Sequence, residues 1–260
     1  MPTTMNHLAV AVTKNRLLPH PVRLRNGKLK FTRSDGDEFS RQCLAYRDHH
    51  EARGDEVETL LIPTPKLPAQ EALYGHLSLY HGDLDVLAIF HHGTPSGLPG
   101  FALNRKNVGE LADRIIGAAG DKVTILLYAC LTGKGKYLFG QKTPDGRKLT
   151  RKETNEGDRI KSADNVDHRE GFAMLLTAEL SKRGCIATVY AHLTSGHTTK
   201  NPFKVRVSSR WFFGDARVNE VARAKVVQPY GATWKHWMQR MQGADRFDYW
   251  CPSIPGASER

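Results

Sequence analysis

No stretch of the 260 residues approaches the roughly 20 consecutive apolar positions that a membrane-spanning helix needs. The longest unbroken apolar run, at positions 125–131, holds seven residues, so no membrane partner is expected. Positions 1–13 lack a basic segment leading into a long apolar core; no secretory leader is read there, and a cytoplasmic location is expected. Cysteine is scarce as well: Cys43, Cys130, Cys185 and Cys251 are scattered and form no C-x-x-C pair. This argues against a cysteine-built zinc site, and the thiols are expected to stay reduced. There is no G-x-S-x-G elbow, which argues against a serine hydrolase. His192 and His197 stand five apart with no acid beside them, so no metal site and no cofactor are expected.

Acidic residues are missing from positions 1–34, which carry seven Lys or Arg, and they are outnumbered thirteen to five in positions 181–260. Positions 35–180 hold a slight acidic excess, and the formal net charge is +11. A basic periphery around a near-neutral middle is expected to attract an acidic or polyanionic partner, nucleic acid among them.

The hydrophobic pattern supplies most of the fold. Positions 7–13 and 28–32 read as short strands, and Asn26-Gly27 between 22–25 and 28–31 is a hairpin signal. A helix is expected over 39–53, ended by Gly54, then a strand over 57–62 and a helix over 69–80. Three nearly continuous apolar runs follow, at 84–90, 123–129 and 185–192. They are separated by helical periodicity at 107–119 and 171–183. Strand, helix, strand, helix, strand with doubly apolar strands is the pattern of a parallel sheet covered on both faces. The expected class is therefore α/β, a three-layer αβα sandwich with a mainly parallel central sheet. Positions 1–56 are assigned to a small N-terminal β-hairpin and helix attachment, 57–213 to the core, and 214–260 to an aromatic and basic C-terminal extension. Positions 134–170 contain little apolar character beyond Tyr137, Leu138 and Phe139 and are read as a flexible insert.

Two of the apolar runs end in reactive side chains. LDVLAIF at 84–90 leads into His91-His92-Gly93, and VTILLYA at 123–129 leads into Cys130. In parallel sheets the carboxyl ends of the strands open the crevice where chemistry collects. One right-handed crossover between the two runs brings both ends to the same edge. A thiol attacks a carbonyl well only as thiolate or with a base in reach, and imidazole supplies that base and later protonates a leaving amine. Gly93 has no side chain to cover its N–H, which with the N–H of Cys130 forms a candidate oxyanion hole.

The pair of blocks, a hydrophobic strand into His-Gly and a second into Ala-Cys, resembles the caspase-like clan of cysteine peptidases over residues 57–195. The resemblance implies His92 as general acid and base, Cys130 as nucleophile, and Gly93 and Cys130 amides at the oxyanion. The Gln-Ala-Cys-x-Gly of caspases proper is replaced here by Tyr128-Ala-Cys-Leu-Thr-Gly133, so no subfamily is assigned. His91 is set aside, because Gly93 follows His92 and strand alternation turns His91 elsewhere.

Further residues are candidates for binding a peptide or protein substrate. Ser195 and His197 lie in a polar loop after the third core strand, and Arg206 and Arg210 offer guanidinium forks for an acidic side chain. The function expected is endopeptidase cleavage through a thioester, with self-processing in the insert. The alternative is an inactive module of the same fold that binds nucleic acid or another polyanion through its basic surface.

Overall fold

The computed structural model describes residues 4–14, 21–23, 29–31, 35–64, 68–133, 171–192, 204–209 and 225–227. In chain order its strands are β1 (Asn6–Lys14), β2 (Pro21–Arg23), β3 (Leu29–Phe31), β4 (Glu56–Thr64), β5 (Val86–Phe90), β6 (Gly97–Leu98), β7 (Leu103–Asn104), β8 (Lys122–Tyr128), β9 (Ile186–His192), β10 (Lys204–Ser208) and β11 (Lys225–Val227). The α-helices are α1 (Asp35–Glu51), α2 (Ala69–Leu77), α3 (Val108–Ala119) and α4 (Phe172–Lys182).

Seven strands make one sheet in the order β4-β1-β5-β8-β9-β10-β11. The first five are parallel; β10 runs antiparallel to β9, and β11 antiparallel to β10. Each parallel connection passes through a helix, as parallel pairing requires. The strands are apolar on both sides because both sides are covered. Leu8, Val10, Leu87, Ile89, Ile125, Leu127, Val189 and Val207 pack under α2, α3 and α4. Ala9, Ala11, Val86, Ala88, Phe90, Leu126, Tyr128 and Tyr190 face Phe39, Cys43 and Tyr46 of α1. The architecture is thus α/β, a mostly parallel sheet between helical layers. No helix among the described residues is long and apolar enough to cross a membrane.

The N-terminal assignment needs correction. Residues 1–56 are not an attachment to the core, because β1 lies inside the sheet with β4 and β5 on either side. The alternating burial of Leu8 and Val10 against Ala9 and Ala11 is that of an interior strand. α1 likewise forms the second helical layer: Phe39, Cys43, Tyr46 and His50 recur at helical spacing and all are buried. At the other end, the sheet extends past residue 213, since β11 pairs along β10 inside the span assigned to the C-terminal extension. The hairpin signalled by Asn26-Gly27 is present, with β2 antiparallel to β3 in a separate two-stranded sheet. The insert 134–170 lies outside the described residues, as does the rest of the aromatic C-terminal segment.

Candidate functional site

Strand β1 has β4 on one side and β5 on the other, so the chain reverses its direction of winding between β1 and β5. The carboxyl edge beside such a reversal is where open α/β sheets place their binding crevice. β5 and β8 are neighbours there. Their register pairs Val86 with Thr124 and runs to Phe90 with Tyr128. The Phe90 and Tyr128 rings stack on the α1 face, centroids 4.4 Å apart and planes within 8°. The ladder continues past the strand ends, with the His91 N–H donating to the Tyr128 carbonyl at 3.4 Å. The paired register ends there, and His92 and Cys130 each stand two positions beyond it at the same carboxyl edge, Cys130 already in a turn.

Backbone contact then joins the two ends directly. A Cβ placed on Gly93 would lie 2.5 Å from the Cys130 carbonyl oxygen, 2.9 Å from the Ala129 carbonyl carbon and 2.7 Å from Thr132 Cγ2. Any side chain at 93 would force these strand ends apart, so glycine is required by close approach. Among the described residues the Gly93 N–H has no hydrogen-bond acceptor.

Cys130 sits at the corner of a tight turn. Thr132 Oγ1 donates to the Ala129 carbonyl at 2.8 Å, and Leu131 between them takes φ 62°. A left-handed leucine costs on the order of 1–2 kcal/mol, and the surrounding structure holds it there. The Gly133 N–H donates to the His192 carbonyl at the end of β9, at 2.9 Å. The first turn of α4 supplies two donors that have no intrahelical partner. Phe172 N–H bonds the Pro95 carbonyl and Ala173 N–H bonds the Thr132 carbonyl, both at 3.0 Å. One helix end therefore ties the loop after β5 to the turn after β8.

The two histidines occupy different surroundings. His91 is half-buried; its ring stacks on Phe39 at 5.7 Å and 16° and meets Phe101 edge-on at 5.4 Å. An added Cβ at Gly100 would fall inside the His91 ring, so glycine makes room for it. His91 Nδ1 donates to the His92 carbonyl at 3.0 Å. His92 is exposed at the edge, its ring standing edge-on to Phe39 at 4.8 Å. Cys130 is half-buried, whereas Cys43 and Cys185 are buried. Burial pushes the Cys43 thiol up to about 12, opposed by Arg47, and the Cys185 thiol up to about 11, reinforced by Asp121.

Of the substrate-binding candidates, Arg206 lies in β10 directly opposite Tyr190 of β9, on the α1 face and two positions inside the carboxyl edge. Ser195, His197 and Arg210 lie outside the described residues. Sequence reading missed Phe39, which touches both histidine rings. Its signal was the 39-43-46-50 stripe, which marks α1 as a core helix. A scan against models of known protein families finds no match, and no curated protein matches the chain.

Proposed function

We propose that the protein is a cysteine endopeptidase of caspase-like type, with Cys130 as nucleophile and His92 as its base. The observation that carries the reading is the junction of the β5 and β8 ends. The two strands are neighbours, His92 and Cys130 each follow their ends by two residues, and Gly93 lies against the Cys130 backbone. A half-buried thiol and an exposed imidazole that follow neighbouring strands at the carboxyl edge of a parallel sheet suit attack on an extended peptide entering from solvent.

In this reading the Cys130 sulfur attacks the scissile carbonyl carbon while His92 takes the thiol proton. The tetrahedral oxyanion accepts hydrogen bonds from the Gly93 and Cys130 N–H groups, each worth about 2.7–4 kcal/mol at such a site. Collapse breaks the C–N bond, His92 gives its proton to the leaving amine, and a thioester remains. Water activated by His92 hydrolyses the thioester and restores the thiol.

The test is turnover of a mixed peptide library by the wild type and by Cys130→Ala, His92→Ala and His91→Ala, with thermal melts of all four. Cys130→Ala should abolish cleavage, and His92→Ala should lower kcat/KM by several orders of magnitude, since base and acid are lost together. His91→Ala should keep far more activity but melt lower, because its ring packs between Phe39 and Phe101. Full activity in Cys130→Ala would reject the enzyme. No cleavage by the wild type, together with tight binding of a polyanion, would leave the inactive basic module.

A further inference from the structure

At the opposite end of the sheet, where β1 and β4 begin, the side chain of His7 converges with those of His50 and Asp55. Helix α1 ends in a left-handed Gly54 at φ 91°, with Gly54 N–H bonded to the Glu51 carbonyl and Asp55 N–H to the His50 carbonyl. This is a Schellman closure, and it folds Asp55 back onto His50. His50 Nδ1 and Asp55 Oδ2 are 3.0 Å apart. β1 brings His7 to the same point, with Nε2 3.7 Å from Asp55 Oδ2. His7 and His50 are almost wholly buried and the Asp55 side chain is 9% exposed.

We propose that His7, His50 and Asp55 form a binding site for a divalent transition-metal ion, and that Zn2+ is the ion their two nitrogens and one oxygen fit. The site lies outside the proposed active centre and does not depend on it.

Geometry argues for an ion rather than a plain hydrogen-bonded cluster. His7 Nδ1 is 2.7 Å from the Tyr46 hydroxyl. With that nitrogen carrying the proton, Nε2 presents a lone pair toward the carboxylate. Nε2 is buried without a hydrogen-bond partner, and 3.7 Å is too far for one to the carboxylate. Two donors each about 2.0–2.1 Å from a tetrahedral zinc lie roughly 3.3–3.4 Å apart, and the observed 3.0 and 3.7 Å bracket that value. The three ligand atoms lie within 4.8 Å of one another.

The surroundings are those of a metal site. The Tyr46 hydroxyl orients His7 through its far nitrogen, and the Met5 N–H donates to the other Asp55 oxygen at 3.3 Å. Such outer partners fix ligand tautomer and direction. A cavity of about 430 Å³ opens beside His7, lined also by Glu56, Glu58, Tyr80 and Asp83. Three protein ligands leave a fourth position for water.

The experiment uses the full chain stripped with chelator and titrated with Zn2+ alone, read by calorimetry and thermal melting, and with Co2+ alone, read by visible d–d absorption. One equivalent should bind and raise Tm. Asp55→Asn and His50→Gln should each weaken binding by roughly 100-fold or more, and Tyr46→Phe by about 10-fold to 100-fold. Cys130→Ala and His92→Ala should bind like the wild type. No Tm shift in the wild type would overturn the site, and this readout stands even if the ligand variants fail to fold. Retention of one tight equivalent in a folded Asp55→Asn, or its loss in His92→Ala, would place the ion elsewhere and equally overturn it.

Discussion

Phe90 and Tyr128 stack with nearly parallel planes, centroids 4.4 Å apart, two positions before His92 and Cys130. The pair fixes the β5–β8 register at the edge where it matters, since a slip of one residue would turn every later side chain to the other face. Tyr46 of α1 meets both rings edge-on, at 5.7 and 6.1 Å, so the stack is clamped from the helical layer. Phe90→Ala should cost about 3–5 kcal/mol, the usual loss for a buried phenylalanine. Urea denaturation at neutral pH reads this directly. A loss under 1 kcal/mol would mean that the stack does not hold the edge.

Gly93 should tolerate no side chain. Gly93→Ala puts a methyl 2.5 Å from the Cys130 carbonyl oxygen, a backbone atom that moves only with the strand end. Peptide turnover should fall by about 100-fold or more, as misplacing reacting groups by an ångström does, while the fold persists. At Gly100 the clash is with the His91 ring, a side chain that can swing. Gly100→Ala should therefore lower Tm and spare most of the activity. Equal activity of Gly93→Ala and the wild type would separate the junction from the chemistry.

The helical glycines supply the opposite sign. Gly75 in α2 and Gly117 in α3 are exposed, and an added Cβ meets nothing within 4 Å. Gly117→Ala should stabilise the protein by about 0.5–1 kcal/mol through helix propensity and unfolded-state entropy. Gly75→Ala should add a similar amount, and the two should combine nearly additively, being in separate helices. A fall in Tm for either would show that its helix is strained at that position.

These contrasts show why parts of the molecule were legible in sequence. β5, β8 and β9 are apolar on both faces, and a doubly buried strand writes itself as a continuous run. His92 and Cys130 stand out because each directly follows such a run. β1 has the same character, but its neighbours are β4 and β5, and β5 begins about 80 residues later. No local pattern encodes that pairing, so β1 and α1 read as an attachment. Phe39 and the His7, His50 and Asp55 cluster were hidden for the same reason. Their meeting depends on where β1 enters the sheet and on the Gly54 closure, not on any spacing along the chain.

Thiol reactivity separates the cysteines. Burial holds Cys43 and Cys185 as neutral thiols, at about 12 and 11, and neutral buried thiols alkylate slowly. Cys130 is half-buried at the carboxyl edge of the sheet. Iodoacetamide at pH 7.5, followed by peptide mass mapping, should modify Cys130 first, with Cys43 and Cys185 labelled only on unfolding. His92→Ala should slow Cys130 labelling without changing that of Cys43 or Cys185. Faster labelling of Cys43 would contradict its burial between α1 and the sheet.

Alkaline stability follows from the same two thiols. Each has a folded value above the ordinary 9.0, so above pH 9 the unfolded chain loses protons that the folded chain keeps. Unfolding then releases protons, and stability falls as pH rises. Below pH 9 both states hold the thiol proton, and these groups contribute no slope. Each shifted group costs about 1.4 kcal/mol per pH unit between its unfolded and folded values. From pH 9 to 10.5 Cys43 should therefore remove about 2 kcal/mol, and Cys185 a similar amount. Cys43→Ala loses packing equally at every pH, so its baseline is lower but its alkaline slope is shallower. Denaturant unfolding at pH 8.5 and 10.5 should show a drop about 2 kcal/mol smaller in Cys43→Ala than in the wild type, with all other ionisations common to both. Identical drops would mean that Cys43 ionises in the folded protein as readily as in the unfolded chain, and that the contact between α1 and the sheet admits water.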